Sequence, residues 1–237
     1  MKTTRLFATC SATLLAVLSA QAQGTFQNLG FEQADPVVIV GSPYYPTAVT
    51  FGSALPGWSS SIGGVPVTQA FLNNYSLGAA SISIFGPGWN SVNPGIIDGN
   101  YTVFLQAFNP GQGNVSLWQT GTIPADAASL QFSAWNYTSV NEAFSVSFAG
   151  NSLSPVSPGS GQSASGQVYT VYGVNIAPYA GQLGQLEFTA FGGQGPDWME
   201  LDGITFSPNT VPEPGTLALV VMGGLALAAR RWRKEAW

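Results

Sequence analysis

The basic residues of this chain lie only at its two ends. Lys2 and Arg5 stand near the start, four more stand within the last eight residues, and residues 24–210 contain no Lys, Arg or His. The same stretch contains nine acidic residues. A carboxylate buried there has no basic partner, so N–H groups, O–H groups or a bound cation must compensate it.

This charge distribution excludes several classes of function for residues 24–210. Nucleic-acid binding needs cations that neutralise phosphates, and phosphoryl transfer usually needs a Lys or Arg clamp. Without His there is no His-based triad and no His-ligated metal site. The single cysteine, Cys10, lies in the N-terminal apolar stretch, so the rest of the chain has neither a disulfide nor a thiolate. The groups that remain for catalysis or binding in residues 24–210 are carboxylates, hydroxyls, amides and aromatic rings.

Residues 1–22 have the pattern of a secretory signal helix. Lys2 and Arg5 precede an apolar stretch, and Ala20-Gln21-Ala22 provides the small residues of a cleavage site. We therefore expect export and a mature chain that begins near Gln23.

The C-terminal segment predicts a single transmembrane helix. Residues 215–229 carry no charge, and as a helix they would span roughly 22 Å, which is shorter than the roughly 30 Å hydrocarbon core. Long basic side chains can close part of this gap by snorkelling. A basic stop follows, formed by Arg230, Arg231, Arg233 and Lys234. The positive-inside rule places it in the cytoplasm, and the alternative is a buried C-terminal core helix.

The whole segment 211–237 resembles a PEP-CTERM sorting signal. The resemblance lies in Val211-Pro212-Glu213-Pro214, the short apolar run and the Arg-rich end. It implies recognition by an exosortase, a membrane-embedded transpeptidase of bacterial envelopes. Cleavage near Pro212–Pro214 would then release a transiently anchored domain to the cell envelope or the extracellular space.

Residues 23–210 predict one all-β domain, an antiparallel sandwich. In 129–135, for example, Leu130, Phe132 and Ala134 alternate with polar or larger residues, and Gly, Pro, Asn and Ser separate such stretches. The Ser-, Gly- and Pro-rich segment 151–166 predicts a mobile loop.

The order of short motifs resembles the jelly-roll, galactose-binding-like domains of carbohydrate-binding modules. The motifs are "FQNLGFEQ", "LPGW", "LWQT" and "MELDGITF". In the resembling modules, the first and last strands often share a structural Ca²⁺ site, and Glu32 and Asp202 match those positions. Asp202 shares strand parity with Ile204 and Phe206, which predicts an inward carboxylate, and Ca²⁺ takes oxygen ligands. The alternative is a bulge at Gly203 with Asp202 and Glu32 in solvent.

Two further sets of side chains are candidates for chemistry. Asp197, Glu200 and Asp202 could serve a glycosidase, but a local acidic cluster is more typical of a solvated edge, so we predict no catalytic residues and no enzyme. Aromatic rings stack on sugars, although most fill cores. We expect Trp58 and Trp118 in the core. The candidate carbohydrate-binding residues, expected to be exposed, are Tyr44, Tyr45, Trp89 and Trp135.

The sequence thus predicts an exported envelope or extracellular-matrix protein with a structural or adhesive role, with polysaccharide as a candidate partner. Two alternatives stay open, a dedicated carbohydrate-binding module and a carboxylate-dependent glycoside hydrolase. A structural Ca²⁺ is the only cofactor that the resemblance suggests.

Overall fold

The computed structural model of the protein describes residues 24–75, 78–108, 113–137, 144–193 and 195–211. These residues form mainly β-strands, with one short helix, α1 (Phe51–Ala54), and one turn of 3-10 helix (Ala177–Tyr179). The strands are β1 (Ala48–Thr50), β2 (Ser59–Ile62), β3 (Val65–Pro66), β4 (Gln69–Leu72), β5 (Ser81–Phe85), β6 (Thr102–Ala107), β7 (Val115–Thr122), β8 (Ser129–Tyr137), β9 (Phe144–Phe148), β10 (Asn151–Leu153), β11 (Val156–Gln162), β12 (Val168–Asn175), β13 (Leu183–Ala190) and β14 (Asp197–Ser207). The all-β prediction is confirmed.

The strands pair into two sheets. The eight-stranded sheet has the order β1-β4-β5-β6-β14-β8-β12-β11, and the six-stranded sheet has the order β10-β9-β13-β7-β2-β3. Neighbouring strands run antiparallel with one exception, because β4 and β5 pair in parallel. The prediction of a purely antiparallel sandwich is therefore wrong at this pair.

The apolar residues of the alternating pattern in the sequence fill the space between the two sheets. Leu130, Phe132 and Ala134 of β8 are at most 1% exposed and join one apolar cluster with Leu186 and Phe188 of β13. Side chains alternate between the two faces of a strand, so one buried set fixes the face of every residue between its members. The large rings of this core are packed within contact distance, as in Phe132 and Phe188 with centroids 5.2 Å apart.

Trp58 lies in this core as expected, but Trp118 does not. Leu117 of β7 points inward, so Trp118 points outward and is partly exposed. Gln119 takes the next inward position, where its amide accepts the backbone N–H of Gln27 at 2.5 Å and donates to the Gln27 carbonyl at 2.9 Å. A buried glutamine with paired polar atoms thus replaces the tryptophan that we expected there.

The segment 151–166 is not the predicted loop. It forms β10 and β11, and β11 is an edge strand paired with β12. Its ladder is interrupted between Val156 and Gly159, so Pro158 needs no ladder hydrogen bond. Strand pairing uses backbone groups, which is why a segment poor in apolar side chains can still join a sheet edge.

The signal sequence 1–22 and the tail 212–237 lie outside the described residues. Among the residues that are described, no helix is long and apolar enough to cross a membrane. The predicted helix 215–229 therefore stays a prediction.

Candidate functional site

A second group of aromatic rings lies on the outer face of the eight-stranded sheet. Phe85 and Phe104 are fully buried but are not part of the inter-sheet core. Phe85 lies 5.1 Å from Phe104 by ring centroids, and Phe104 lies 6.0 Å from Trp198. The connected rings are Tyr75, Phe85, Trp89, Phe104, Trp135, Tyr137 and Trp198. A row of rings therefore crosses this face from β5 to β8.

The β8 end of this row reaches solvent. Tyr137, which is 54% exposed, stacks on Trp198 with centroids 4.7 Å apart and ring planes 22° apart. Trp135 lies 6.1 Å from Trp198, and both indoles are partly exposed. The indole Nε1 of Trp198 is buried and has no hydrogen-bond partner among the described residues. We call Trp135, Tyr137 and Trp198 the ring surface.

The four residues predicted to bind carbohydrate do not form one site. Trp135 belongs to the ring surface, but Tyr44 and Tyr45 lie beside β1, five strands away in the sheet order. Five strand spacings of about 4.8 Å separate these positions by roughly 24 Å. Tyr44 and Tyr45 are 51% and 61% exposed, as expected. They are separate from the ring surface.

Trp89 stabilises the loop that follows β5 through contacts within the protein. One ring face stacks on Phe85 at 4.4 Å with planes 7° apart, and Nε1 donates to the Pro94 carbonyl at 2.9 Å. Trp198 and Tyr137 were not among the predicted site residues. For Tyr137 the signal was available in the sequence, because it shares the parity of Trp135 on β8. For Trp198 it was not, because the bulge at Gly203 reverses the parity that Ile204 and Phe206 set.

Tyr44 stands next to a cavity of about 410 Å³ at one end of the sandwich. Its ring meets Phe71 edge to face at 5.4 Å. The cavity is lined by Ile62, Pro66, Val67, Thr68, Gln69, Phe71, Ala80, Ser81 and Ile82. It contains none of the predicted site residues.

The acidic residues of β14 are buried, contrary to the solvated edge that we expected. Asp197, Glu200 and Asp202 are each at most 1% exposed. Glu200 and Asp202 point away from the inter-sheet core, under the loop 86–101 and next to the buried rings. The predicted inward parity of Asp202 is wrong because of a bulge: the register shifts after Asp202, and Gly203 adopts φ +58°. Asp202 and Ile204 therefore face opposite sides of the sheet.

Glu200 is held by an amide and a backbone donor. It accepts Gly95 N–H at 2.8 Å and the side-chain amide of Gln167, which is itself 1% exposed. Burial raises the pKa of Glu200 from 4.5 to about 8; the two hydrogen bonds oppose this shift, and the neighbouring charge of Asp202 adds to it. The carboxyl is therefore largely protonated at neutral pH.

Asp202 is held in a similar way. Its carboxylate accepts Asp98 N–H at 3.1 Å, Thr102 Oγ1–H at 2.6 Å and Gly203 N–H at 2.7 Å. Burial raises the pKa of Asp202 from 3.8 to about 7; these hydrogen bonds oppose the shift, and the charge of Asp98 adds to it. Donors and protonation, rather than basic side chains, compensate the buried acids.

Glu32, the second residue of the predicted Ca²⁺ site, binds the turn at residues 98–101, which Asp202 also contacts. Its side chain is exposed, and it accepts Asn100 N–H at 2.8 Å, Tyr101 N–H at 3.0 Å and the Asn100 side-chain amide at 2.9 Å. A Cβ at Gly99, where φ is +57°, would lie 2.3 Å from Glu32 Oε1. Glycine is favoured there by the positive φ, and a larger residue would also displace the Glu32 carboxylate from these hydrogen bonds.

These contacts do not fit Ca²⁺ as they stand. The oxygens of Glu32 and Asp202 already accept N–H and O–H donors, whereas a cation needs oxygen ligands that face it. Among the described residues, no group of three or more His, Cys, Asp or Glu side chains gathers to hold a metal. The structural Ca²⁺ site stays a prediction.

Comparison with known proteins bears on the tail. Residues 210–234 match the family model described as the PEP-CTERM protein-sorting motif. The chain carries a PEP-CTERM sorting signal. This match confirms the resemblance read from Val211–Pro214 and the basic stop. The PEP-CTERM signal implies an exported protein, transiently anchored, that an exosortase sorts.

Solved structures resemble the domain only distantly. TmCBM61 in complex with β-1,4-galactotriose aligns with a TM-score of 0.38 and 15% identity, over 78% of this chain and 97% of that chain. CBM27-1 of Caldicellulosiruptor saccharolyticus in complex with mannohexaose aligns with a TM-score of 0.35 and 17% identity, over 57% of this chain and 88% of that chain. The K2 adhesin domain of Lys-gingipain aligns with a TM-score of 0.37 and 12% identity, over 64% of this chain and 88% of that chain. No curated protein matches the chain significantly.

Proposed function

We propose that the protein is a structural or adhesive component of a bacterial envelope or matrix, and that its β-sandwich domain binds polysaccharide at the ring surface. The observation that carries this proposal is the stacked, half-exposed pair of Tyr137 and Trp198 with Trp135 beside it. Flat rings at a solvent boundary provide apolar area for sugar faces. Tyr137 adds a hydroxyl that can pair with a sugar hydroxyl.

The charge of the domain supports a neutral ligand. Residues 24–210 contain acids but no basic side chain, so an anionic polysaccharide would be repelled and would find no cation to pair with. A neutral chain needs only stacking and hydrogen bonds. The preference of the ring surface should therefore be for uncharged polysaccharides.

The proposal includes no catalytic step. Glu200 and Asp202 lie on the same strand and face, but the loop 86–101 covers both, and their oxygens already accept donors. A glycosidase needs its two carboxyl groups on either side of an accessible sugar bond. A hydrolytic role would need this loop to open.

Affinity gel electrophoresis against soluble β-1,4-galactan and mannan, with alginate as the anionic control, tests the proposal. Tyr137→Ala and Trp135→Ala should weaken retardation by the neutral chains, roughly tenfold for a loss of about 1.4 kcal/mol. Tyr45→Ala is the matched control, because it removes an equally exposed ring at the distant edge. Equal retardation of the wild type and both ring-surface variants would contradict the proposal.

A further inference from the structure

The outer face of the six-stranded sheet carries two straight rows of polar side chains. One row crosses five strands in direct register: Ser59, Trp118, Glu187, Ser147 and Ser152. The next row crosses four strands: Ser61, Ser116, Thr189 and Ser145. We call these two rows together the hydroxyl face. At about 4.8 Å per strand, the longer row spans roughly 19 Å.

Trp118 is the only ring in the two rows. Its direct cross-strand neighbours are Ser59 on one side and Glu187 on the other. The indole is partly exposed, and every side chain of both rows except Ser61 is at least partly exposed. An apolar ring with hydroxyl and carboxylate oxygens beside it matches a sugar ring, which has apolar faces and a polar edge.

Hydrogen bonds within the hydroxyl face hold its acceptors in place. Gln185 Nε2 donates to Glu187 Oε2 at 3.1 Å, and Thr189 Oγ1 donates to Glu187 Oε1 at 3.4 Å. Thr189 and Ser116 share a further bond of 2.7 Å. The carboxylate of Glu187 is thus oriented next to Trp118 before any ligand arrives, which lowers the ordering cost of binding.

The charge of this face selects the class of ligand. The two rows contain one acid and no base, and no basic residue exists between positions 24 and 210. Phosphate, sulfate and carboxylate polymers therefore have no partner here. Neutral polyols fit, because the Ser and Thr hydroxyls can both donate to and accept from sugar hydroxyls, and the carboxylate of Glu187 can accept from them.

We propose that the hydroxyl face is a second glycan-binding surface, which holds a neutral polysaccharide across the strands with one sugar ring on Trp118. The ligand class rests on the proposed function of the ring surface, but the two surfaces lie on opposite sides of the sandwich. A single domain with both surfaces joins two polysaccharide chains. The protein is then a cross-linker of neutral matrix polysaccharide.

The experiment measures binding and cross-linking separately. Soluble β-1,4-galactan and mannan are mixed with the purified protein; affinity gels report binding, and turbidity reports cross-linking. The variants are Trp118→Ala, Trp135→Ala and the double variant, with Thr120→Ala as the control on the same sheet face. Circular dichroism confirms that each variant is folded, and size-exclusion chromatography gives its oligomeric state.

We expect each single variant to show weaker but measurable retardation and to lose turbidity. The double variant should lose both, and Thr120→Ala should keep both. Unchanged turbidity with Trp118→Ala would overturn the second surface, as would loss of all binding with Trp135→Ala alone. Loss of all binding with Trp118→Ala alone would instead overturn the ring surface and cross-linking.

The oligomeric state gives a further outcome. If Trp118→Ala converts a dimer to a monomer and leaves turbidity unchanged, the hydroxyl face is a contact between copies of the protein, and the proposal is overturned. Wild type that binds no neutral chain would overturn both surfaces.

Discussion

Glu32 and Asp202 bind the same turn. Glu32 accepts the backbone N–H groups of Asn100 and Tyr101, and Asp202 accepts that of Asp98. One carboxylate comes from the start of the domain and the other from its last strand. The turn between β5 and β6 is therefore fastened to both ends of the domain, and it covers the buried acids.

Gly99→Ala should destabilise the domain through this fastening. A left-handed backbone alone costs an alanine about 1–2 kcal/mol, and the added Cβ would also displace Glu32. Gly181→Ala is the control, because φ there is +75° and nothing lies within 4 Å of the added Cβ. Chemical denaturation should show the larger loss for Gly99→Ala. Equal losses would mean that the Glu32 contact contributes nothing measurable.

The stability of the domain should fall as pH rises from about 4 to about 8. The pKa of Glu200 is raised to about 8 and that of Asp202 to about 7, so the folded state binds more protons than the unfolded state within this window. Their contribution is fully present below the unfolded pKa values and is lost as pH passes the folded ones. Thermal melts between pH 4 and pH 9 measure it.

Glu200→Gln provides the control for this pH dependence. The amide keeps the shape but cannot ionise, so the melting temperature of this variant should vary less with pH than that of the wild type. A wild-type melting temperature that rises steadily up to pH 8 would show that both acids are ionised in the folded protein, as a bound cation would require.

Melting in EDTA and in millimolar CaCl₂ tests the calcium prediction directly. Because donors already occupy the oxygens of Glu32 and Asp202, we expect the same midpoint in both solutions. Saturation at about 100 times the dissociation constant would instead stabilise the folded state by about 2.7 kcal/mol. A gain of this kind that Asp202→Asn abolishes would establish the calcium site.

The boundaries 1–22, 23–210 and 211–237 predict processing at both ends. In cells that contain an exosortase, the exported product should begin near Gln23 and lack the segment 215–229. Mass spectrometry of its termini measures both. Recovery of an exported product that still ends in Trp237 would contradict the predicted cleavage.

Alternation of apolar residues was enough to predict the sandwich, but not its interruptions. Leu130, Phe132 and Ala134 lie in the core as predicted, because a regular strand preserves parity. The bulge at Gly203, which the sequence offered only as the alternative, reversed the face of Asp202, but Asp202 is buried under a loop and not in solvent as that alternative had it. Trp118 lies outside the predicted core because the parity of its strand, set by buried Leu117, prevails over the hydrophobicity of the indole.

The candidate site was predicted only in part, for a related reason. The sequence shows which side chains can be exposed, but not which strands become neighbours. Trp135 in β8 and Trp198 in β14 meet because those two strands pair, and this pairing joins distant parts of the chain. Buried Glu200 was also unforeseen, since its cover comes from the loop 86–101 and from Gln167.

The side chain of Val211 lies against Gly173 in β12, so closely that a Cβ at Gly173 would come within 2.7 Å of it. The sorting motif starts with this residue, and Pro212–Pro214 can add at most about 10 Å of chain. If the helix 215–229 begins at the lipid surface, only this short linker separates the domain from the membrane before cleavage. The domain's distance from the membrane is then set by cleavage, and an uncleaved copy can contact only polysaccharide within about one domain length of the membrane.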